Sequence, residues 1–301
     1  MTESAQPHVS VVIPTYNQAD FLRAALDSVR QQTISDWEAV IINNNSDDHT
    51  VEVVRSFDES RFRVVDFHNH GIIAASRNKG IELAQSPWIA FLDSDDLWRP
   101  EKLERCLAAA ESTGADLICH PEVIVRNGRT VGRTQTAPSG RLDIRRLLFD
   151  GNFLSPTGVV VRGTLLEQVG GFSEDPDYVT VEDFDLWLRL ARHGIEVASV
   201  DVLLAQFTLH DASATTRTDV HLANGLRAMA DHYAELMPAR PMDALRYRRA
   251  RACLIYGAGR NHAKAGRRGA ALRHFLRAVC TFPLLLRAYV AAVVAVAIAG
   301  R

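Results

Sequence analysis

The sequence predicts an α/β fold: a mixed, mostly parallel sheet flanked by helices, followed by a helical C-terminal region. Three observations predict it. Short β-branched runs alternate with helical stretches through the first hundred residues, which implies right-handed crossovers and parallel strands. Polar residues gather where those runs end, the edge at which such sheets bind ligands. Beyond about Asp219 the strand signals stop, and the chain turns alanine- and arginine-rich.

Val9 to Ile13 reads as the first strand, stopped by Pro14. From Asp20 to Gln31, Phe21, Leu22, Ala25, Leu26 and Val29 share one helical face. Trp37 to Ile42 is a second strand running into Asn43 to Asp48, and after a short helix Arg61 to Phe67 is a third. Gly71 opens a loop into a helix from Ile73 to Ala84, and the strand from Trp88 runs straight into Asp93, Ser94, Asp95 and Asp96. Pro100 and Glu101 start the next helix.

From Ala115 the pattern changes. Asp116 to Val125 and Thr130 to Thr134 read as a hairpin around Asn127-Gly128. Asp143 caps a helix through Phe149, Thr157 to Arg162 is a strand, and Gly170-Gly171 breaks the chain before an acidic loop. Glu182 to His193 is an amphipathic helix, Ile195 to Leu204 a last strand, and Thr208 to Arg217 a loop. Arg260 to Val279 has the form of one helical hairpin. Leu284 to Ala299 is apolar apart from Arg287, and sixteen residues is short for a bilayer span, so it reads as a membrane-surface helix or a packing helix.

Charge divides the chain as the elements do. Residues 1–216 carry 19 basic and 32 acidic side chains, a net of -13; residues 217–301 carry 15 and 4, a net of +11. Two domains are expected, a body over 1–217 and a basic helical region over 218–301 that meets an anionic surface such as phospholipid. Cys106, Cys119, Cys253 and Cys280 show neither CxxC nor zinc-type spacing and fit a reducing compartment. The polar Met1 to Pro7 has no apolar signal region, so the expected location is cytoplasmic, with contact to the inner membrane face. No Walker loop, nucleophile elbow or nucleic-acid module is present, and Tyr256-Gly257-Ala258-Gly259 lacks the third glycine of a dinucleotide fingerprint.

Three carboxylates within four positions repel one another. A buried strand end keeps them only if something cationic sits among them, and a divalent ion with oxygen ligands suits such a set. Alone, the cluster reads equally as a solvated acidic turn at a helix start.

Further motifs decide between these. Val11-Val12-Ile13-Pro14-Thr15-Tyr16-Asn17 resembles the opening motif of family 2 glycosyltransferases, the large inverting group with the GT-A fold. Gly71, Ala74, Arg77-Asn78 and Gly80, then Phe91 to Asp96, match that family's next blocks in order and spacing. Gly170-Gly171-Phe172 and Glu182-Asp183-Phe184-Asp185-Leu186-Trp187 resemble its later acceptor-side block. The resemblance spans Val9 to Ser213. It implies a metal-dependent enzyme that moves one sugar from a nucleoside-diphosphate donor to an acceptor hydroxyl with inversion.

The same resemblance assigns roles. Asp95 is the expected ligand of manganese or magnesium, with His210 as a further ligand. Pro14, Thr15, Tyr16, Asn44, Arg77, Asp93, Ser94 and Asp96 are expected around the nucleotide sugar. Asp183 is expected to be the general base and Glu182 to orient the acceptor, a glycan, a lipid-linked saccharide or a similar molecule.

One departure concerns the second strand, where the family carries an acid pair and this chain has Asn43 and Asn44. An amide oxygen accepts the same hydrogen bond from a base, but the preference for uridine weakens. The QxxRW motif of processive members is missing, which favours single-sugar transfer. Two rivals stand beside this reading. A nucleotidyltransferase would need a glycine-rich loop after the first strand, where Pro14-Thr15-Tyr16-Asn17 supplies none. A non-catalytic scaffold of the same fold, binding sugar nucleotides or membrane, would be consistent with Asn43 and Asn44.

Overall fold

The computed structural model describes residues 8–210 and 217–297. The polar start (residues 1–7), most of the predicted loop after Leu209 (residues 211–216, including Ser213) and the end of the apolar run (residues 298–301) lie outside the described residues. The chain forms two compact units, one of residues 8–143, 153–174 and 182–210, the other of residues 144–152, 175–181 and the C-terminal stretch.

The first unit opens with β1 (Val9–Thr15), α1 (Ala19–Arg30), β2 (Trp37–Asn43), α2 (Thr50–Arg55), β3 (Phe62–Asp66), α3 (Ile73–Leu83) and β4 (Trp88–Phe91). β1 pairs in parallel with β2 and β4, and β2 in parallel with β3, so every connection is a helical crossover. All seven residues of β1 are buried. Val9, Val11 and Ile13 enter the core with Leu22, Leu26 and Val29 of α1, which is why this strand reads as a continuous apolar run rather than an alternating one. On the other face α3 lies so close that any side chain at Gly80 would strike Val12.

The rest of the unit comprises β5 (Leu97–Trp98), α4 (Lys102–Thr113), β6 (Leu117–Cys119), β7 (Glu122–Arg126), β8 (Arg129–Arg133), β9 (Gly140–Arg141), β10 (Val159–Arg162), α6 (Gly163–Gln168), α7 (Glu182–His193), β11 (Glu196–Ser199) and β12 (Ala205–Leu209); α5 (Ile144–Asp150) belongs to the other unit. The main sheet has the order β3-β2-β1-β4-β10-β6-β11-β9, and a smaller one the order β5-β12-β7-β8. Antiparallel β10 joins the parallel half to β6.

Three strand expectations change. Pro14 lies inside β1, because pairing with β4 ends at Val12 and the missing N–H falls where that side carries no ladder. The predicted Asp116–Val125 strand is two, divided at His120-Pro121, with β6 in the main sheet and β7 in the small one. The predicted Ile195–Leu204 strand ends early, at Ser199, as β11; β12 begins beyond it at Ala205, and β11 and β12 run parallel to β6 and β7 respectively. Thr208 and Leu209 are therefore strand residues, and β12 delivers His210.

In the second unit, α5 is joined by α8 (Thr218–Ala234), α9 (Asp243–Lys264), α10 (Arg268–Thr281) and α11 (Leu286–Ala297). The predicted hairpin is the pair α9 and α10. Leu222, Ala252, Ile255, Ala258, Ala278, Leu285 and Ala288 form its core. Arg145 of α5 makes a buried ion pair with Asp243 at the start of α9 (3.1 Å). Among the described residues no helix is long and apolar enough to cross a membrane.

Three helices of this unit meet at a clasp. Asp219 Oδ1 of α8 lies 2.9 Å from His262 Nε2 of α9 and 3.5 Å from His274 Nε2 of α10. The donor set resembles a metal site, yet Arg267 Nε donates to His262 Nδ1 at 2.8 Å. An arginine is a permanent donor, so Nδ1 carries the lone pair and Nε2 carries the proton given to Asp219. A metal-bound imidazole needs the opposite tautomer, with an acceptor behind it. The clasp is therefore a carboxylate–imidazole brace.

Burial and the neighbouring His262 lower the His274 pKa, so the fold favours its neutral form. Protonation then favours the unfolded chain, and the contribution is lost as pH falls below the ordinary histidine value near 6.5. Lowering the pH from about 7.5 to about 5.5 is expected to lower the melting temperature. The dependence is expected to be weaker in His274→Gln, followed by circular dichroism.

Candidate active site

The sheet sets three loops at the carboxyl ends of β1, β2 and β4. Side chains tie the first two together: Asn17 N donates to Ser46 Oγ, Asp47 N to Asn17 Oδ1, and Ala19 N, at the start of α1, to Asp48 Oδ2, all at 2.8–2.9 Å. Asn43 is buried and shapes this turn, giving Nδ2 to Asp66 and accepting from Ser46, so it does not face a ligand. Asn44 Oδ1 accepts from Asn69 N at 2.9 Å, and a carbonyl oxygen has a second lone pair for a base N–H. Tyr16 is 53% exposed beside buried Thr15, whose hydroxyl oxygen has no partner.

The acidic cluster at the end of β4 is divided in its duties. Asp95 Oδ2 lies 2.8 Å from His210 Nε2, and the His210 ring stacks on Phe21 at 4.9 Å. Two residues 115 positions apart thus share one hydrogen bond. Burial, then the charge of Asp93, raise the Asp95 pKa, while the His210 bond opposes them. Burial first, then Asp95, Glu122 and Asp93, hold the Asp96 carboxyl well above its usual value. This pocket has more negative charge than its protein cations neutralise. Carboxylate oxygens with an imidazole nitrogen are donors that fit a divalent ion such as Mn²⁺ or Mg²⁺.

Arg77, on α3, spans the site. Its Nη2 lies 2.7 Å from Asp93 Oδ1 and its Nη1 2.7 Å from Glu182 Oε1, with the guanidinium 5.3 Å from the Phe172 ring centroid. Burial alone would lower the arginine pKa, but Asp93, Glu182 and Asp183 together hold it above its usual value. The first turn of α7 is thereby tied to the end of β4. Asp183 stands in that turn, half-buried, with Oδ1 accepting from Phe184 N at 2.7 Å.

Several expected contacts are redirected. Arg77 is 3% exposed with both terminal nitrogens bonded to carboxylates, so it does not face a diphosphate. Glu182 is 6% exposed and holds Arg77; only its buried Oε2 is without a partner. Asp96 points inward, accepting from Thr157 Oγ1 (2.6 Å) and Thr208 N (2.8 Å). Ser94 is buried with its hydroxyl on Gln18, and Pro14 is buried in β1. Tyr16, Asn44, Asp93, Asp95, Asp183 and His210 keep at least part of their surface exposed.

Other residues of the site have no motif in the sequence. Thr157 joins Asp93 N and Asp96, and its carbonyl accepts from Trp98 Nε1. Lys102 is fully buried 3.5 Å from the Trp98 ring centroid with Nζ hydrogen-bonded to nothing. Burial pulls its pKa down to about 7 and pushes the nearby Glu122 up to about 7. The available signal was Lys102 on the same helical face as Leu103, Cys106 and Ala110.

A mixed sheet flanked by helices, with polar loops and an acidic cluster at its strand ends, is the architecture of the GT-A fold. The profile "Glycosyl transferase family 2" matches residues 10–170, more than half of the chain, and the chain belongs to that family; it is a glycosyltransferase. An Escherichia coli relative, UDP-Glc:α-D-GlcNAc-diphosphoundecaprenol β-1,3-glucosyltransferase WfgD, is 29% identical over 209 residues, 69% of this chain and 79% of its own. The crystal structure of Staphylococcus aureus TarS 1-349 with UDP-GlcNAc matches with a TM-score of 0.66 at 18% identity, covering 96% of this chain and 89% of that one. Against a longer TarS crystal structure the chain spans about half of the length, 49%. The Pyrobaculum calidifontis mannosyltransferase PcManGT, with GDP-Man and Mn²⁺, matches at 0.60 and 17%, covering 98% and 81%.

Replacing Arg77 with methionine leaves buried Glu182 and half-buried Asp93 without their cation. It is expected to destabilise the fold by about 3–5 kcal/mol in urea unfolding. Arg77→Lys is expected to recover only part, since a point charge does not bond two carboxylates as a guanidinium fork does.

Proposed function

We propose that the chain is a metal-dependent, inverting glycosyltransferase that moves one sugar per encounter from a nucleoside-diphosphate donor to an acceptor hydroxyl. The observation that carries this is the Asp93–Arg77–Glu182 bridge, which sets the first turn of α7, with Asp183 on it, beside the acidic end of β4. A single displacement needs a base and a leaving-group site in one cleft.

Asp95 and His210, with Asp93 behind them, would hold Mn²⁺ or Mg²⁺, which supplies positive charge for the departing diphosphate. Tyr16 offers an exposed ring to lie against the base, and Asn44 supplies a hydrogen-bonding group for base or ribose, while Thr15 is buried in β1. Asp183 takes the proton of the incoming hydroxyl as it attacks from the face opposite the leaving group, which inverts the anomeric centre. Glu182, tied to Arg77, positions that turn.

The donors of the TarS and PcManGT complexes and the lipid-linked acceptor in the WfgD name support a nucleotide-sugar donor and a polyprenyl-diphosphate-linked saccharide acceptor. In this proposal the second unit works peripherally at the inner face of the cell membrane, where such an acceptor is anchored.

The test is hydrolysis and transfer from a panel of nucleotide sugars, with and without Mn²⁺. Asp95→Ala is expected to abolish metal-dependent nucleotide binding. Asp183→Asn is expected to keep that binding and to reduce transfer by roughly 10²–10⁴ fold. Wild-type transfer by Asp183→Asn would remove it as the base, and failure of every donor would favour a non-catalytic scaffold.

A further inference from the structure

The last helix of the second unit is turned inside out. Leu285, Ala288 and Ala292 are buried against the unit. The larger side chains face outward: Leu286 is 74% exposed, Val290 65%, Val293 67% and Val294 48%. These positions follow the i, i+4, i+7, i+8 spacing of one helical face, with Leu284 (73% exposed) just before it. Adjacent α10 adds exposed Leu276 (51%). A helix facing only water puts its larger apolar side chains inward, so this stripe has the surface of a helix with a second apolar neighbour.

Charge identifies that neighbour. From residue 244 to 301 the chain has twelve lysines and arginines and not one aspartate or glutamate. Arg273 and Arg277 lie exposed on α10, and Arg287 on α11 beside the stripe, over the Tyr256 ring at 4.8 Å. Tyr289, 43% exposed on the same helix, is an amphipathic side chain suited to a polar–apolar boundary. Asp219 of α8, a carboxylate that does contact α10, is held by His262 and His274. A two-fold contact between copies would set this patch against itself, cation against cation. A nucleic acid would match the arginines and leave the valines and leucines in water. An anionic bilayer surface matches both.

We propose that this face docks on anionic phospholipid. α11 then lies in the plane of the interface, with Leu284, Leu286, Val290 and Val293 among the upper acyl chains and Arg273, Arg277 and Arg287 at the headgroup phosphates. The twelve described residues of α11 reach about 18 Å, enough to lie in a leaflet. The docking rests on the peripheral setting proposed above and names the surface and the lipid chemistry that achieve it.

The experiment is co-sedimentation of the full chain with vesicles of phosphatidylcholine alone or mixed with phosphatidylglycerol, at low and raised salt. The wild-type chain is expected to sediment with the anionic vesicles at least about tenfold more than with the neutral ones, and less as salt rises. Val290→Asp/Val293→Asp and Arg273→Gln/Arg277→Gln are each expected to lose most of that binding with unchanged helix content. Their nucleotide-sugar hydrolysis is expected to match the wild type, which separates this inference from the glycosyl-transfer reading. Three results would overturn it. These are a wild-type chain left in the supernatant with both vesicle types, variants that sediment as the wild type does, or a wild-type dimer that binds no vesicle and is broken by Val290→Asp/Val293→Asp.

Discussion

A buried guanidinium is the constraint on which the candidate site depends. Arg77 bonds Asp93 and Glu182 at 2.7 Å each, and those residues are 89 positions apart in the chain. Glu182 would not stay buried without it, and the guanidinium would not stay buried without its carboxylates. The bridge ties the start of a late helix to the end of an early strand.

Around that bridge the acids separate by environment. Asp96 is turned inward onto Thr157 and the β12 backbone and holds the shape of the loop. Asp95 is turned toward His210, which arrives from β12 in the other sheet. The burial that raises both carboxyl pKa values also makes the place receptive to a cation, because ionised oxygens in a low-dielectric cleft gain most from one. Lys102 sits fully buried over Trp98 near Glu122, and the same burial pulls its pKa down to about 7.

The second unit is organised by different physics. Its helices pack through alanines and a few large residues, and they are braced by an Arg145–Asp243 ion pair and the Asp219–His262–His274 clasp. The inverted α11 and the carboxylate-free stretch beyond residue 243 belong together, since an apolar face and an excess of arginine serve one kind of surface.

Much was legible in the sequence by itself. Apolar runs and helical spacing determined the α/β order through Phe91, and ordered motifs determined the family, because both depend on local periodicity and on residue types that the chemistry requires. The position of the acidic cluster at a strand end, and that of Asp183 at a helix start, follow from the same local rules. Only the tertiary structure decided how those residues are used. Arg77, Glu182 and Asp96 carry the chemistry-bearing letters of their motifs, yet their bonds are made to one another and to Thr157, partners remote in sequence. The division of one predicted strand between two sheets, and the separate strand after Leu204, were equally hidden, since β6 with β11 and β7 with β12 are settled by pairing between distant segments. Local pattern reports which face of an element is buried; what lies against that face is a property of the closed fold.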